Sequence, residues 1–384
     1  MSIALFFEPL SPAVKSQSET YKTWESALFL HHEEFVDWKK ADIAIFSIYD
    51  SRKEKREEEM VPNNTYADAV RKKLYSFKKS TESFYVCDLG YLKPGPTLED
   101  TYERLQEVCH VLMQEGVTPL VIGNAHHLDI GQFLSYQHHA DPITMLTIDP
   151  EFDLDDLGSQ DPSKNHIQTI LTHKPNFLNH YCHLGYHSYM VEPMALKVYE
   201  KLFFESFRLG DIRKKIEEAE PVVRGANFLS FDLDSVRASD YPLNSKANPF
   251  GFTGEEACQL AWYAGLSDYI SSFGLYGYDP PAAGPEAERS AFIVAGMIWY
   301  FVEGYYQKVD TLDFESDNYI KYTVQIDKTE GDIAFFKSKK SGKWWIQLHK
   351  KTILPCSYSD YEEAAKGELP DRWLQAITRL GVKE

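Results

Sequence analysis

The chain has 384 residues, of which 43% are apolar and 14% aromatic, and it carries a formal net charge of -18. This composition favours a well-buried globular core over disorder. The acidity argues against nucleic acid and anionic membrane surfaces as partners, because both attract basic proteins. The five cysteines are scattered and form no C-x-x-C pair, which indicates a reducing compartment. The first residues include no basic region, and no apolar stretch is long enough to span a bilayer. We therefore predict a cytoplasmic protein.

Short runs of β-branched and aromatic residues predict strands, and the patterns between them predict helices. In chain order, the predicted strands are 42–48, 84–87, 118–122, 143–148, 228–231 and 272–276. The predicted helices are 66–77, 97–116, 192–207, 254–265 and 289–306, and the charged stretch 51–65 is predicted to be a solvated loop. Strands that alternate with helices predict a parallel sheet covered on both faces.

The tail departs from this alternation. Two aromatic runs, 333–337 and 344–348, flank a turn that contains Gly342 and predict a β-hairpin, and a helix is predicted at 371–380. We expect a single domain over residues 1–384, with a core at about 40–310 and a C-terminal extension at about 311–384.

Metal-capable side chains follow three of the predicted strands. They are His126 in the first cluster, Asp149, Glu151 and Asp153 in the second, and Asp232 and Asp234 in the third. Ligands bind at strand ends in open α/β sheets, and alternate residues of an extended chain face one side. Crowded carboxylates need cations, and this oxygen-rich set suits manganese or magnesium better than zinc. The alternative is that such aspartates cap the helices that follow.

The clusters resemble the three signatures of the arginase, agmatinase and formimidoylglutamase family of ureohydrolases, over about residues 40–310. The matching segments are Gly123-Asn124-Ala125-His126, Asp149-Pro150-Glu151-Phe152-Asp153 and Ser230-Phe231-Asp232-Leu233-Asp234. The resemblance implies a three-layer α/β/α sandwich with a mainly parallel eight-stranded sheet, and two manganese ions at its strand ends. By position, one ion would use His126, Asp149, Asp153 and Asp232, and the other Asp149, Glu151, Asp232 and Asp234.

The resemblance also implies two catalytic residues. Asp153 would orient the nucleophilic water, and His166 stands about where arginases keep a proton-shuttling histidine, although a surface histidine is the alternative for His166. The chain departs from the family at two further positions. Glu151 replaces a metal-binding histidine, and Gly277 replaces a substrate-binding glutamate. Without that glutamate a cationic guanidinium loses its charge-assisted partner, which counts against arginine and agmatine as substrates.

Two functions are consistent with these residues. The first is a hydrolase that converts formimidoylglutamate, a small molecule, to glutamate and formamide. The alternative is an arginase-fold pseudoenzyme without bound metal that holds a protein partner through its acidic surface or its C-terminal extension. The resemblance further implies a homo-oligomer. Three other histidines, His180, His183 and His187, are predicted to be hydrogen-bonded or solvated rather than metal ligands.

Overall fold

The structure is a computed structural model, and it describes residues 2–14, 23–50, 52, 64–79, 83–154, 161–278, 284–326, 332–349 and 352–381. Most of the predicted loop 51–65 lies outside the described residues. Among the residues that the structure describes, no helix combines the length and apolarity needed to cross a bilayer.

The strands lie in two sheets. In chain order they are β1 (Phe7–Glu8), β2 (Phe29–Leu30), β3 (Ile43–Ile48), β4 (Val86–Leu92), β5 (Thr118–Gly123), β6 (Ile143–Ile148), β7 (Leu178–Tyr186), β8 (Glu205–Arg208), β9 (Phe228–Asp232), β10 (Ser272–Tyr276), β11 (Tyr319–Val324), β12 (Ile333–Ser338), β13 (Trp344–His349) and β14 (Thr352–Cys356).

The α-helices mostly alternate with the strands of the larger sheet. They are α1 (Thr65–Ser76), α2 (Leu98–Gln114), α3 (Asp129–Leu134), α4 (Pro162–Thr172), α5 (Pro193–Lys201), α6 (Leu209–Ile212), α7 (Ala219–Arg224), α8 (Gly254–Gly265), α9 (Pro285–Tyr306), α10 (Tyr358–Ala365) and α11 (Asp371–Gly381). The helix predicted at 97–116 begins at a capping box, in which Thr97 and Asp100 bond each other's backbone N–H groups.

The larger sheet has the strand order β1-β4-β3-β5-β10-β9-β6-β7-β8, with β2 also paired to β4. Strands β3 to β10 pair in parallel, and β1 runs antiparallel to β4. The predicted sheet of eight mainly parallel strands is confirmed, and two strands of two residues each are added to it.

Helices cover both faces of this sheet because successive strand residues point to opposite sides. In β3, Ile43 and Ile45 belong to a core cluster shared with α1, α7, α8 and α9. Ala44 and Phe46 belong to a second cluster shared with α2, and a third cluster on strands β6 and β9 is shared with α3, α4 and α5. The predicted three-layer α/β/α sandwich is confirmed.

The C-terminal residues form a separate antiparallel sheet, in the order β11-β12-β13-β14, with α10 and α11 after it. The predicted hairpin is its central pair, and the predicted terminal helix is α11. Arg224 of α7 connects this sheet to the core, because its buried guanidinium donates to the carbonyl oxygen of Trp344 at 3.0 Å and lies 4.3 Å from the Trp345 ring. A single domain over residues 1–384 stays a prediction.

One predicted helix, 192–207, is wrong in its second half. Helix α5 ends at Lys201, and Phe203 then adopts the left-handed region with φ +55°. The next residues pair with β7 as strand β8, and the buried Glu205 side chain lies 3.4 Å from His180. Tertiary strand pairing therefore outweighs the local helical pattern of this segment.

Candidate metal centre

Four neighbouring strands bring the predicted site residues to one edge of the sheet. Strands β5, β10, β9 and β6 lie side by side, and parallel pairing aligns their carboxyl ends. His126 follows β5, Gly277 follows β10, Asp232 ends β9 and Asp149 follows β6. The crevice at this edge is the place where open α/β sheets bind ligands.

The His126 ring lies at the centre of the cluster and is 8% exposed. Its Nδ1 atom lies 2.8 Å from Oδ2 of Asp149, 3.3 Å from Oδ2 of Asp232 and 3.6 Å from Oδ2 of Asp153. One imidazole nitrogen and three carboxylate oxygens therefore converge on one point. The structure brings together all four residues predicted for the first ion.

A hydrogen-bonded chain fixes the other side of the His126 ring. The Ser230 hydroxyl donates to Oδ2 of Asp129 at 2.9 Å, and His126 Nε2 lies 3.0 Å from the Ser230 oxygen. Because the hydroxyl gives its only hydrogen to Asp129, it accepts from Nε2–H. In the neutral ring, the lone pair is then on Nδ1, which faces the carboxylates, as in metal sites whose outer partners select the histidine tautomer.

Asp153 and His166 extend the cluster. Asp153 adopts φ +43°, an uncommon backbone conformation that for non-glycine residues occurs often at functional sites. His166 is fully buried, with Nδ1 at 3.6 Å from Oδ2 of Asp153 and Nε2 at 3.5 Å from Oδ2 of Asp129. The surface alternative for His166 is therefore wrong, and its place beside Asp153 is compatible with a role at the site.

The residues predicted only for the second ion are engaged differently. Glu151 forms a short ion pair with the Lys246 ammonium. Asp234 accepts a hydrogen bond from the backbone N–H of Ser245 at 2.7 Å and another, shorter one from the Ser245 hydroxyl. Burial disfavours the Lys246 charge, but the hydrogen bond and charge of Glu151 raise the pKa of Lys246 above its usual value.

The helix-cap alternative is also partly borne out. Oδ1 of Asp232 accepts from the backbone N–H of Asp234 at 2.8 Å and so caps a short 3-10 helix, 233–235. Oδ1 of Asp149 likewise accepts a hydrogen bond from the backbone N–H of Glu151 at 2.6 Å. Because the Oδ2 atoms of both aspartates still face His126, capping and ligand roles are compatible in the same side chains.

Crowding of like charges controls ionisation in the crevice. Burial, together with the charges of Asp153 and Asp232, raises the pKa of Asp149 well above its usual value. Burial and the charge of Asp232 raise the pKa of Asp234 to about 6. Burial opposes a charge on His126, yet Asp232 and the other carboxylates raise the pKa of His126 well above its usual value. Without a cation, the cluster therefore retains protons.

The residues present fit a divalent cation. His126 Nδ1 and Asp149 Oδ2 are buried and make no aligned hydrogen bond among the described residues, although they lie 2.8 Å apart. One potential ligand atom from each of His126, Asp149 and Asp232 lies within 4.8 Å of the others, and His126, Asp153 and His166 form a second such group. The mixed nitrogen and carboxylate set suits manganese.

A third potential group lies at the opposite ends of the strands. His180, Cys182 and Glu205 meet the same distance criterion, but Arg379 contacts the His180 ring at 2.6 Å. A guanidinium in that position disfavours a cation. His180 and His183 are hydrogen-bonded, as predicted: Arg379 donates to His180, and His183 donates from Nε2 to the carbonyl oxygen of Asp149 at 2.9 Å.

Sequence reasoning missed several residues of the crevice. Asp129 lies three residues after His126, a spacing that places both on one helical face and could have been noticed. Ser245 and Lys246 lie in the irregular segment between β9 and α8, where neither periodicity nor a motif distinguishes them. Only the folded chain brings this segment over the second and third clusters.

The fold and this cluster define a class of protein: a three-layer α/β sandwich with a metal-ligand crevice at the ends of its central strands. The Arginase family model matches residues 42–302, and the chain belongs to the arginase family. No curated protein matches the chain in a sequence search.

Solved structures of the same fold agree with this assignment. The formiminoglutamase of Trypanosoma cruzi with Mn2+2 has a TM-score of 0.62 and 20% identity, covering 70% of this chain and 95% of that chain. The formimidoylglutamase of Bacillus subtilis subsp. subtilis str. 168 has a TM-score of 0.65 and 16% identity, covering 78% and 97%. The agmatine ureohydrolase of Thermoplasma volcanium has a TM-score of 0.57 and 14% identity, covering 77% and 98%.

Family membership and the convergent ligands together support a metal-dependent ureohydrolase. They give no support to the alternative of a catalytically inactive arginase-fold protein.

Proposed function

We propose that this protein hydrolyses the C–N bond of a formimidoyl or guanidino compound with the help of a divalent metal, and that formimidoylglutamate, giving glutamate and formamide, is its substrate. One observation carries the proposal: His126 Nδ1 faces Oδ2 of Asp149 at 2.8 Å and Oδ2 of Asp232 at 3.3 Å, in a member of the arginase family. The similar structures named as formiminoglutamases support the choice of substrate.

Manganese is the proposed metal, because similar formiminoglutamase structures are described with Mn2+ and the ligand set suits it. The residues that would hold an ion are His126, Asp149, Asp153 and Asp232. When bound, a divalent ion would supply Lewis acidity and lower the pKa of a water molecule toward neutrality.

Asp153 is the proposed proton acceptor. Burial opposes its ionisation, but His126, at 3.6 Å, and the charge of His166 lower the pKa of Asp153 to about 2, so the carboxylate is ionised at neutral pH. His166 is fully buried and lies between Asp153 and Asp129. We therefore propose that it positions Asp153, and the predicted role of His166 as a proton shuttle stays a prediction.

Gly277 leaves the end of β10 without a carboxylate that could bind a guanidino substrate. It adopts φ +84°, and a Cβ atom there would lie 2.8 Å from Oδ1 of Asp232. A substrate-binding carboxylate therefore cannot extend from this position unless Asp232 moves. A guanidinium would lack the charge-assisted partner that a glutamate provides.

The test is turnover by purified protein loaded with Mn2+, with release of glutamate and formamide as the readout. We expect turnover of formimidoylglutamate and its loss, by a factor of at least about 100, in His126→Ala, since removing even an outer-shell partner of a metal ligand costs about 10- to 100-fold. His138→Ala, which changes an exposed histidine, is the matched control and should keep full activity. Metal-loaded wild type that is inert on formimidoylglutamate, agmatine and arginine would refute the proposal.

A further inference from the structure

Lys246 and its neighbour Ser245 contact two of the residues that the family resemblance predicts for a second divalent ion. The Lys246 ammonium pairs with Glu151, one of the four residues predicted to hold that ion. The neighbouring residue Ser245 donates two hydrogen bonds to Asp234, another of the four. One short segment of chain therefore supplies a cation and two donors to the ligands that are specific to the second ion.

Asp149 and Asp232 are the two residues predicted to contact both ions, and the two carboxylate oxygens of each have different partners. Oδ2 of Asp149 and Oδ2 of Asp232 face His126 Nδ1, at 2.8 and 3.3 Å. Oδ1 of each aspartate accepts a backbone N–H, from Glu151 at 2.6 Å and from Asp234 at 2.8 Å. The side of the cluster that faces His126 is thus arranged for an ion, whereas the opposite side is satisfied by groups of the protein itself.

Charge opposes the binding of a divalent ion next to the Lys246–Glu151 pair. An ammonium and a divalent ion repel each other strongly at the short separations of one carboxylate cluster. Glu151 is an anion where a neutral histidine is expected, and Lys246 neutralises it. The side chains of Lys246 and Glu151 are 38% and 24% exposed, so the pair lies at the mouth of the crevice and not beneath it.

We infer that the Lys246 ammonium replaces the second divalent ion, so that the crevice binds a single ion through His126, Asp149, Asp153 and Asp232. This inference rests on the proposed function, because it assumes that the His126 side of the cluster binds metal. It differs from the expectation of two ions that comes from the resemblance to the family.

The test measures bound manganese per chain, by elemental analysis after loading with excess Mn2+ and desalting, and the Mn2+ electron paramagnetic resonance spectrum. Wild type should hold one ion with the hyperfine pattern of an isolated Mn2+. Lys246→Met, which removes the charge and keeps the length of the side chain, should bind a second ion and show the spectrum of a coupled pair. Lys246→Arg, which keeps the charge, should remain at one ion.

Lys39→Met is the matched control. Lys39 pairs with Glu115 near the opposite ends of the strands, and its loss should leave one ion per chain. Two ions in the wild type, or one ion in a folded Lys246→Met protein, would overturn the inference and leave the proposed metal-dependent hydrolysis intact. No ion in either protein would instead contradict the proposed function. If Lys246→Met does not fold, the wild-type stoichiometry and spectrum still decide.

Discussion

At the scale of single residues, protons and metal compete for the same atoms. The pKa values of His126 and Asp149 are both raised well above their usual values, so both side chains hold their protons to higher pH than the free groups do. A metal ion binds only the deprotonated forms. Metal binding to this crevice should therefore displace protons.

We predict that Mn2+ affinity rises with pH. A group whose pKa is raised keeps its proton up to a higher pH, and the metal must displace that proton in order to bind. As the pH rises, fewer of these groups are protonated, and the metal binds more tightly. Calorimetric titration at about pH 6 and about pH 8, in buffers of different ionisation enthalpy, would measure both the affinity and the protons released. Equal affinity at both pH values, with no proton release, would refute this expectation.

Gly277 permits a close approach of the backbone to Asp232, a proposed metal ligand. We expect Gly277→Ala to lower the free energy of unfolding by about 1–2 kcal/mol, because alanine is strained at φ +84°. It should also weaken Mn2+ binding, because the new Cβ atom would lie 2.8 Å from Oδ1 of Asp232. Urea unfolding and Mn2+ titration measure the two effects.

Gly116 provides a matched control for the Gly277 prediction. It has a similar backbone angle, φ +78°, but nothing lies within 4 Å of an added Cβ atom. Gly116→Ala should therefore show the backbone cost without any loss of metal affinity. If both variants bind Mn2+ as tightly as the wild type, the contact between residue 277 and Asp232 does not influence the site.

Sequence reasoning identified the crevice residues whose type and position carry a signal. His126, Asp149, Asp153 and Asp232 each follow or end a strand, and the structure places them around one point. Lys246 could not be predicted, because its contact with Glu151 spans distant parts of the chain and depends on the path of an irregular segment. The proposed ligands can be found from the sequence because they stand at the ends of predicted strands. The residues that pair with their charges can be found only from the tertiary structure.

At the scale of elements, the sequence predicts where strands end more accurately than it predicts where a helix gives way to a strand. The buried runs of β3, β5, β6, β9 and β10 are short, apolar and followed by polar residues, so their type and carboxyl ends were clear. The predicted helix 192–207 includes residues 202–207, which lie beyond the end of α5 at Lys201. The strand conformation of β8 depends on pairing with β7 and on the buried Glu205, which are not local properties.

Helix α11 packs on the amino-terminal side of the sheet through a buried charge network. Glu205 lies 3.4 Å from His180, and Arg379 of α11 donates to the same ring at 2.6 Å. Burial opposes ionisation of Glu205, but the hydrogen bond and charge of His180 and the charges of Arg372 and Arg379 lower its pKa to about 2. The ionised Glu205 therefore contributes to holding the last helix in place.

We predict that Glu205→Gln lowers the free energy of unfolding by about 3 kcal/mol at neutral pH, because a pKa lowered from 4.5 to about 2 corresponds to about 1.4 kcal/mol for each pH unit by which it is lowered. Because the pKa of Glu205 is lower in the folded chain, the carboxylate stabilises the protein above its usual pKa of 4.5. This contribution is lost as the pH falls from 4.5 toward about 2, so the difference between wild type and variant should shrink over that range.

Urea unfolding over a pH series measures this difference. Glu200→Gln, which changes an exposed glutamate on α5, should match the wild type throughout. A Glu205→Gln protein as stable as the wild type at neutral pH would show that the network does not anchor α11.

At the scale of the whole molecule, the sheet and its two helical layers align four strand ends. The crevice at these ends concentrates negative charge. A net charge of -18 adds to the attraction of divalent cations toward that crevice. The C-terminal sheet is joined to the core through Arg224, which precedes the amino end of β9, whereas Asp232 lies at its carboxyl end. A protein partner for this extension or for the acidic surface, and a homo-oligomer, stay predictions.

The most direct test of the metal centre is diffraction from crystals soaked in Mn2+ and measured at the manganese absorption edge. We expect an anomalous peak in the crevice, bonded to Nδ1 of His126 and to Oδ2 of both Asp149 and Asp232. A saturating soak that leaves no anomalous density beside His126 would contradict the assignment of these residues as metal ligands.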